Sequence, residues 1–176
     1  MDNGVLKDLI EKYLIDNPTS KDEGQATHAD DFEKINEKVL RSIPTWYRDV
    51  LTNYPLVGLE VGIPNDFGDE ELIGKPLNEL PLMGLTFIPV ERIEYCSLNL
   101  FPDHELIDLG HIRIAEDRFG TQEGIYINVQ EENPSIKLVF HDFGETGKEV
   151  LKQAEILLDN FTDIFRYGRK RNMDVE

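Results

Sequence analysis

Three histidines with acidic neighbours are the residues whose types could support hydrolytic or metal chemistry. His141 precedes Asp142, a dipeptide that resembles the one found in metal-dependent phosphohydrolases, but that chemistry needs further histidine and aspartate ligands. His104 lies within the acidic run Asp103–Glu105 and is followed by His111. We interpret this run as a solvated loop before a strand, and we predict no metal site and no cofactor.

Glu116 and Asp117 could form a general acid and base pair only with special geometry. Adjacent residues on an extended chain point to opposite sides, so the two carboxylates cannot flank one bond, and we interpret them as turn residues. The chain also has no Gly-x-Ser-x-Gly nucleophile elbow and no glycine-rich phosphate loop. The sequence therefore predicts a protein that is not an enzyme, with a small hydrolase using His104, His111 or His141 as an alternative.

The charge is strongly negative, with 18 Lys and Arg against 35 Asp and Glu and a net charge of −17. Such a field repels nucleic acid and anionic membranes and attracts basic partners. An acidic surface that only keeps the protein soluble is the simpler interpretation. The more specific interpretation is that the acidic surface binds a basic protein.

A protein partner would need aromatic anchors within this acidic surface, because Trp and Tyr dominate the binding energy of interfaces. The residues predicted to meet it are two aromatic residues, the acids of two loops and a strand tyrosine: Trp46, Tyr54, Asp66, Asp69, Glu70, Glu71, Glu116, Asp117 and Tyr126. Trp46 could instead be a core residue, and a covering helix could occupy the place of a partner above Tyr126.

The length of 176 residues suits one domain with an extension, and 40% hydrophobic with 30% charged residues is typical of a folded, soluble chain. Cys96 is the only cysteine, which excludes an intramolecular disulfide and a cysteine-based zinc cluster. No run is long enough for a membrane span and the N-terminus lacks the features of a signal peptide, so we expect a cytoplasmic protein.

Three helices are predicted in the first part of the chain. Apolar residues at helical spacing indicate a helix over Val5–Leu14, followed by a polar linker from Thr19 to Ala29. A second helix begins at Asp30 or Asp31 and continues through Leu40 on one apolar face. The third begins at Ile43-Pro44, because proline is well tolerated in the first turn of a helix.

Strands dominate the second part. One or two short strands are expected between Val57 and Ile88, and a helical turn from Pro89. Alternating apolar residues in Leu109–Ala115, Gly124–Val129 and Ser135–Phe140 then predict an antiparallel meander.

The last segment fits either one long helix from Val150 or a short edge strand at Ile156–Leu158 followed by a helix from Phe161. We favour the strand, because Asn160 is a good helix N-cap.

This order of elements resembles the SUKH superfamily, the Smi/Knr-type cell-wall assembly regulator fold, over about residues 30 to 166. Three segments carry the likeness: DFEKINEKVLRSIPTWYRDVLTNYP, with its Ile43-Pro44 turn and Tyr47; HIRIAEDRFGTQEGIYINV with the return strand SIKLVFHDFG around an acidic glycine turn; and the closing LLDNFTDIF. Each motif consists of packing and turn residues.

The resemblance implies an α+β domain with a central antiparallel sheet flanked by helices, here with an extra N-terminal helix. The corresponding division is an N-terminal helix and linker over 1–29, the SUKH-like domain over 30–166 and a basic tail over 167–176. Members similar to this chain have no known enzymatic activity. Bacterial members commonly act as immunity proteins that neutralise toxins, often nucleases, whereas fungal members regulate cell-wall synthesis through partners.

The resemblance and the charge together suggest an immunity protein that binds a basic toxin domain. A regulatory or scaffold subunit that binds host proteins is the alternative. The oligomeric state is left open.

Overall fold

The structure is a computed structural model that describes residues 3–18, 23–117 and 123–170. The predicted linker residues 19–22, the glycine turn at 118–120 and the tail beyond residue 170 lie outside these ranges. Within them, the helices are α1 Asn3–Asp16, α2 Ala29–Lys34, α3 Glu37–Ser42, α4 Thr45–Asn53, α5 Val90–Asn99, α6 Asp103–Leu106, α7 Gly147–Lys152 and α8 Asp163–Tyr167. The strands are β1 Glu60–Pro64, β2 Leu82–Phe87, β3 His111–Asp117, β4 Gly124–Asn128, β5 Ile136–Val139 and β6 Glu155–Leu158.

The six strands form one antiparallel sheet in the order β1-β2-β3-β4-β5-β6. Each strand pairs with its neighbour in sequence, so the sheet is a meander. The predicted α+β class, with an antiparallel sheet flanked by helices and an N-terminal helix, is confirmed. The two short strands expected between Val57 and Ile88 are β1 and β2, and they extend the predicted three-stranded meander at one side.

The middle of the sheet is covered on both faces. On one face Ile112, which pairs with Ile127 across β3 and β4, belongs to the large core. On the other face Arg113 pairs with Tyr126, and this side is covered by α6 and α7 through a smaller cluster of Leu106, Tyr126, Val139 and Val150. The alternating pattern in the sequence therefore marks two buried faces here, one of them partly polar.

Helix α1 lies on the large core, as its apolar spacing predicts. Leu6, Ile10, Tyr13 and Leu14 are buried among the residues of this core, and the ring of Tyr13 meets Phe165 of α8 edge to face at 5.9 Å. The N-terminal helix thus shares one core with the sheet. None of the helices among the described residues is long and apolar enough to cross a membrane.

The outer edge of β1 is partly covered by the segment after α8. The N–H of Arg169 donates to the carbonyl of Gly62 at 2.9 Å, and the N–H of Gly62 donates to the carbonyl of Arg169 at the same distance. Gly168 permits this approach, because a Cβ there would lie 2.6 Å from Cγ1 of Val61 in β1. An exposed strand edge is a site for unwanted pairing, so this bridge also shields the sheet.

The predicted second helix is wrong in its continuity, because it is divided into α2 and α3. Ile35 has an extended backbone, and the side chain of Asn36 accepts a hydrogen bond from the N–H of Lys38 at 2.9 Å. The N–H of Asn36 itself donates to Glu94 of α5 at 2.6 Å. This N-cap and the contact with a distant helix outweigh the continuous apolar spacing.

The closing segment follows the favoured prediction, with β6 as a strand and α8 as a separate helix. The helix begins at Asp163 with Thr162 at the N-cap position, two residues later than predicted. Two short helices were not predicted. The first, α6, has only four residues and no apolar period, whereas α7 begins with a capping box between Thr146 and Glu149 that the sequence does contain.

Candidate functional site

A groove of about 480 Å³ lies between α1 and α4. Eight residues line it: Leu6, Lys7, Glu11, Trp46, Asp49, Val50, Asn53 and Tyr54. The two aromatic residues singled out in the sequence are therefore brought together at one site. Helix α1 supplies the opposite wall, although the sequence analysis placed this helix outside the main domain.

The floor of the groove is apolar and its aromatic residues are firmly packed. Leu6 and Val50 are buried, whereas Trp46 and Tyr54 are partly exposed. The indole of Trp46 meets the ring of Phe161 edge to face at 4.9 Å and that of Tyr47 at 5.5 Å. An indole held in this way presents its remaining surface to the groove with little conformational freedom to lose on binding.

Two carboxylates and one ammonium group line the groove beside this aromatic pair. Glu11 and Asp49 line the groove and are exposed, and Lys7 lies 3.7 Å from Glu11 in a solvated i,i+4 ion pair. Partial burial, together with the charges of Glu11 and Asp8, raises the pKa of Tyr54 above its ordinary value. The phenol is neutral at physiological pH, and the potential around it is negative.

The groove continues toward the C-terminal end of α1. A smaller cavity of about 340 Å³ shares Glu11, Asn53 and Tyr54 with it and adds Leu14, Ile15 and Pro55. Ile15, which lines this smaller cavity, is 67% exposed. The two cavities form a strip with an apolar base and an acidic border.

The acidic loop predicted to meet the partner lies elsewhere. Asp66, Asp69, Glu70 and Glu71 belong to the connection between β1 and β2, where they are exposed or partly exposed. The loop is ordered by Asx turns, in which Asp66 and Asp69 accept hydrogen bonds from the backbone two residues later. It also exposes three large apolar side chains: Phe67, Ile73 and Leu77. In the described ranges none of these residues lines the groove.

Glu116 and Asp117 are strand residues of β3, so their interpretation as turn residues is wrong. The carboxylate of Glu116 accepts a hydrogen bond from Arg92 Nε at 2.9 Å and lies 3.7 Å from Arg113 Nη1. Asp117 pairs with Leu85 of β2 in the sheet register. Glu116 is thus occupied within the protein, and neither residue is among those lining the groove in the described part of the chain.

Tyr126 does not contribute to a binding surface, because its side chain is 1% exposed. Its hydroxyl accepts hydrogen bonds from Arg113 Nη2 at 3.1 Å and Nε at 3.3 Å, and Arg113 also donates twice to Asp103 at 2.9 Å. Burial and the Asp103 carboxylate raise the pKa of Tyr126. The sequence left open whether a partner or a helix covers Tyr126, and in the structure it is covered by helices.

The three histidines do not meet. His141 Nδ1 lies 3.1 Å from Glu123 and its Nε2 lies 3.2 Å from Asp142. His104 is exposed beside Glu105, and His111 is buried in β3 with Nδ1 3.1 Å from the carbonyl of Leu109. Among the described residues, no three His, Cys, Asp or Glu side chains are placed to hold a metal ion.

A second cleft, of about 620 Å³, lies between α1 and the segment after α8. Its lining includes four cations: Lys12, Arg166, Arg169 and Lys170. Three of them form ion pairs with carboxylates of the same chain: Lys12 with Asp16, Arg166 with Asp163 and Lys170 with Glu23. The first two pairs lie within α1 and α8 respectively, and the third joins Lys170 to the segment that precedes α2.

Sequence reasoning missed the six residues that complete the groove, namely Leu6, Lys7, Glu11, Asp49, Val50 and Asn53. A sequence signal for Leu6 and Val50 was present, since both residues lie on the apolar faces of their helices. Nothing local indicated that these two faces would meet.

Comparison of the chain with protein-family models, with curated proteins and with solved structures finds no match.

Proposed function

We propose that this chain is a protein-binding domain that acts without catalysis, and that it neutralises a basic toxin domain in the manner of an immunity protein. The observation that carries the proposal is the groove between α1 and α4, where Trp46 and Tyr54 lie together beside the carboxylates of Glu11 and Asp49. The resemblance of the sequence to the SUKH superfamily favours the same function.

Two properties of the chain suit such a partner. The net charge of −17 accelerates association with a positively charged protein and opposes association with nucleic acid. Trp and Tyr supply large contact areas at low entropic cost, so an aromatic pair is a natural centre for an interface.

The acidic loop between β1 and β2 supports a distinct role. Its exposed carboxylates, which include Asp69, Glu70 and Glu71, act through the long-range field. Charges at the rim of an interface change the association rate and its salt dependence more than the dissociation rate. We assign this loop to steering and the groove to anchoring.

The experiment is affinity capture of the full tagged chain against a lysate of its native cells, at low and at moderate salt. The retained polypeptide is identified by mass, expressed alone, and assayed for toxicity with and without this protein. The proposal expects a basic polypeptide that leaves the column as salt rises and whose toxicity this protein abolishes.

Two outcomes contradict the proposal. A salt-resistant partner of ordinary charge, whose activity is unaffected, would indicate a regulatory subunit. An empty capture at low salt would exclude a tight partner in that lysate. For a captured toxin, neutralising Asp69, Glu70 and Glu71 together should slow association and flatten its salt dependence, because screening acts on exposed charges.

A further inference from the structure

We propose that the groove between α1 and α4 binds a lysine or arginine side chain of the partner, flanked by apolar residues, with its charged end at Asp49 and Glu11. This inference rests on the proposed function and names the chemistry that the anchoring site selects. It commits the groove to a cationic polypeptide segment.

The charge balance of the lining favours a cation. Two carboxylates, Glu11 and Asp49, share the groove with one ammonium group, that of Lys7. The pair between Lys7 and Glu11 is long at 3.7 Å, and both side chains are about half exposed or more, at 61% and 49%. Among the described residues, no ion pair or side-chain hydrogen bond involves the carboxylate of Asp49. A cation from outside therefore has a carboxylate with which to pair.

The aromatic residues favour the same ligand. A cation above the face of Trp or Tyr is attracted by the ring quadrupole, and the long stem of Lys or Arg packs against apolar surface. Trp46 and Tyr54 line the same cavity as both carboxylates. The groove thus offers an apolar wall for the stem and negative charge for its end.

The shape of the strip favours apolar residues on either side of the bound cation. The apolar base continues from Leu6 and Val50 to Leu14, Ile15 and Pro55 through the adjoining cavity. Ile15 is exposed there, and covering it would remove apolar surface from water. An apolar neighbour of the bound cation can occupy this extension.

Other occupants fit the charge less well. A second copy of this chain would bring another net charge of −17 to the groove. The carboxylates of the groove would also repel an anionic membrane or a nucleic acid. An entirely apolar segment would leave Asp49 and Glu11 partly desolvated without a partner, which is costly.

Trp46 gives a direct test, because it is the only tryptophan of the chain. Its fluorescence is recorded while the full protein is titrated with a short capped peptide that has arginine between two leucines. The control peptide has citrulline in place of arginine, which keeps the shape and removes the charge. We expect a saturable change in Trp46 emission with the arginine peptide, weakened by salt, and at least fivefold weaker binding of the citrulline peptide.

Matched variants locate the site. Asp49→Asn should weaken binding of the arginine peptide about fivefold, since it removes the unpaired carboxylate. Asp30→Asn makes the same chemical change at an exposed position of α2, outside the groove lining, and should leave affinity unchanged. Both positions are exposed, so neither variant should lose its fold.

Equal affinity for the two peptides, equal effects of the two variants, or no saturable change with the arginine peptide would each overturn the inference. These results are distinguishable from failure of the proposed function. If a toxin is neutralised equally well by the wild type and by Asp49→Asn, immunity stands and the cation site falls. If the peptide results are as expected but no captured polypeptide is toxic, the cation site stands and immunity falls.

Discussion

Arg113 brings a positive charge into the protein interior, where a bidentate contact with Asp103 and the hydroxyl of Tyr126 surround it. Both members of the ion pair are nearly inaccessible, with side chains 6% and 2% exposed. Removing one partner of such a pair leaves the other charge buried and uncompensated. The pair therefore links β3 to α6, in addition to the packing of Leu106 into the small cluster.

The Arg113→Met variant should lower the free energy of unfolding by about 3–5 kcal/mol, because Asp103 would remain buried without its partner. Urea denaturation followed by circular dichroism measures this loss. Arg92→Met is the matched control. The side chains of Arg92 and Glu116 are 40% and 31% exposed, so their ion pair should contribute about 1 kcal/mol or less. Equal losses in the two variants would show that burial of the pair has no special weight.

His111 makes the folded protein sensitive to acid. Burial, with a smaller contribution from Lys137, lowers the pKa of its imidazole below the ordinary value of 6.5. The unfolded chain therefore binds a proton at His111 more readily than the folded protein does. The corresponding stability is present above about pH 6.5 and is lost as the pH falls toward the folded pKa.

In the His111→Gln variant, the fall in unfolding free energy between about pH 7 and pH 5 should be shallower than in the wild type. The measurement is a series of urea titrations across this pH range, in which the slope is compared, not the absolute stability. His104→Gln removes an exposed imidazole and serves as the matched control for loss of a histidine. If both variants keep the slope of the wild type, His111 is not the group responsible.

Among the short helices, α7 shows how much a few local contacts can determine. The side chain of Thr146 accepts a hydrogen bond from the N–H of Glu149 at 3.3 Å, and the carboxylate of Glu149 accepts from the N–H of Thr146 at 3.1 Å. Val150 then packs into the small cluster with Tyr126. A helix of six residues is too short to be stable alone, so these caps and this contact hold it.

Replacing Thr146 by alanine should cost about 1 kcal/mol of unfolding free energy, because the N-cap acceptor is lost. Chemical denaturation measures the change. Thr52→Ala is the control, since Thr52 is exposed within α4 and its hydroxyl donates only to the carbonyl of Arg48 in the preceding turn. A loss in Thr146→Ala no larger than in this control would mean that the cap does not stabilise α7.

At the scale of the whole molecule, α1 and the sheet share one hydrophobic core. Ile10 is fully buried in that core, whereas Ile15 on the same helix is 67% exposed. The segment after α8 reinforces this arrangement, because the N–H of Lys170 donates to the side chain of Asn17, the residue after α1, at 3.2 Å. We therefore expect α1 to unfold together with the sheet.

The Ile10→Ala variant should lose about 2–5 kcal/mol, whereas Ile15→Ala should change stability by less than about 0.5 kcal/mol. Helix content and Trp46 fluorescence should report one coincident transition in the wild type and in both variants. Separate transitions for the two probes would mean that α1 folds independently. A large loss in Ile15→Ala would contradict the placement of its side chain in solvent.

The sequence by itself determined the features that depend on local pattern. Apolar period and turn residues located α1, α4 and the meander of β3, β4 and β5, because these signals act over a few residues. The net charge likewise follows from composition alone. The division at Asn36 was less accessible, since the competing contact comes from Glu94, 58 residues away.

Only the tertiary structure decided which surfaces are covered and which side chains meet. Tyr126 alternates correctly with its neighbouring isoleucines, but its burial depends on α6 and α7, which pack over it. Trp46 and Tyr54 were selected as an aromatic pair, while the α1 side of their groove comes from residues about 40 positions earlier. Such contacts join distant parts of the chain, so no local pattern encodes them.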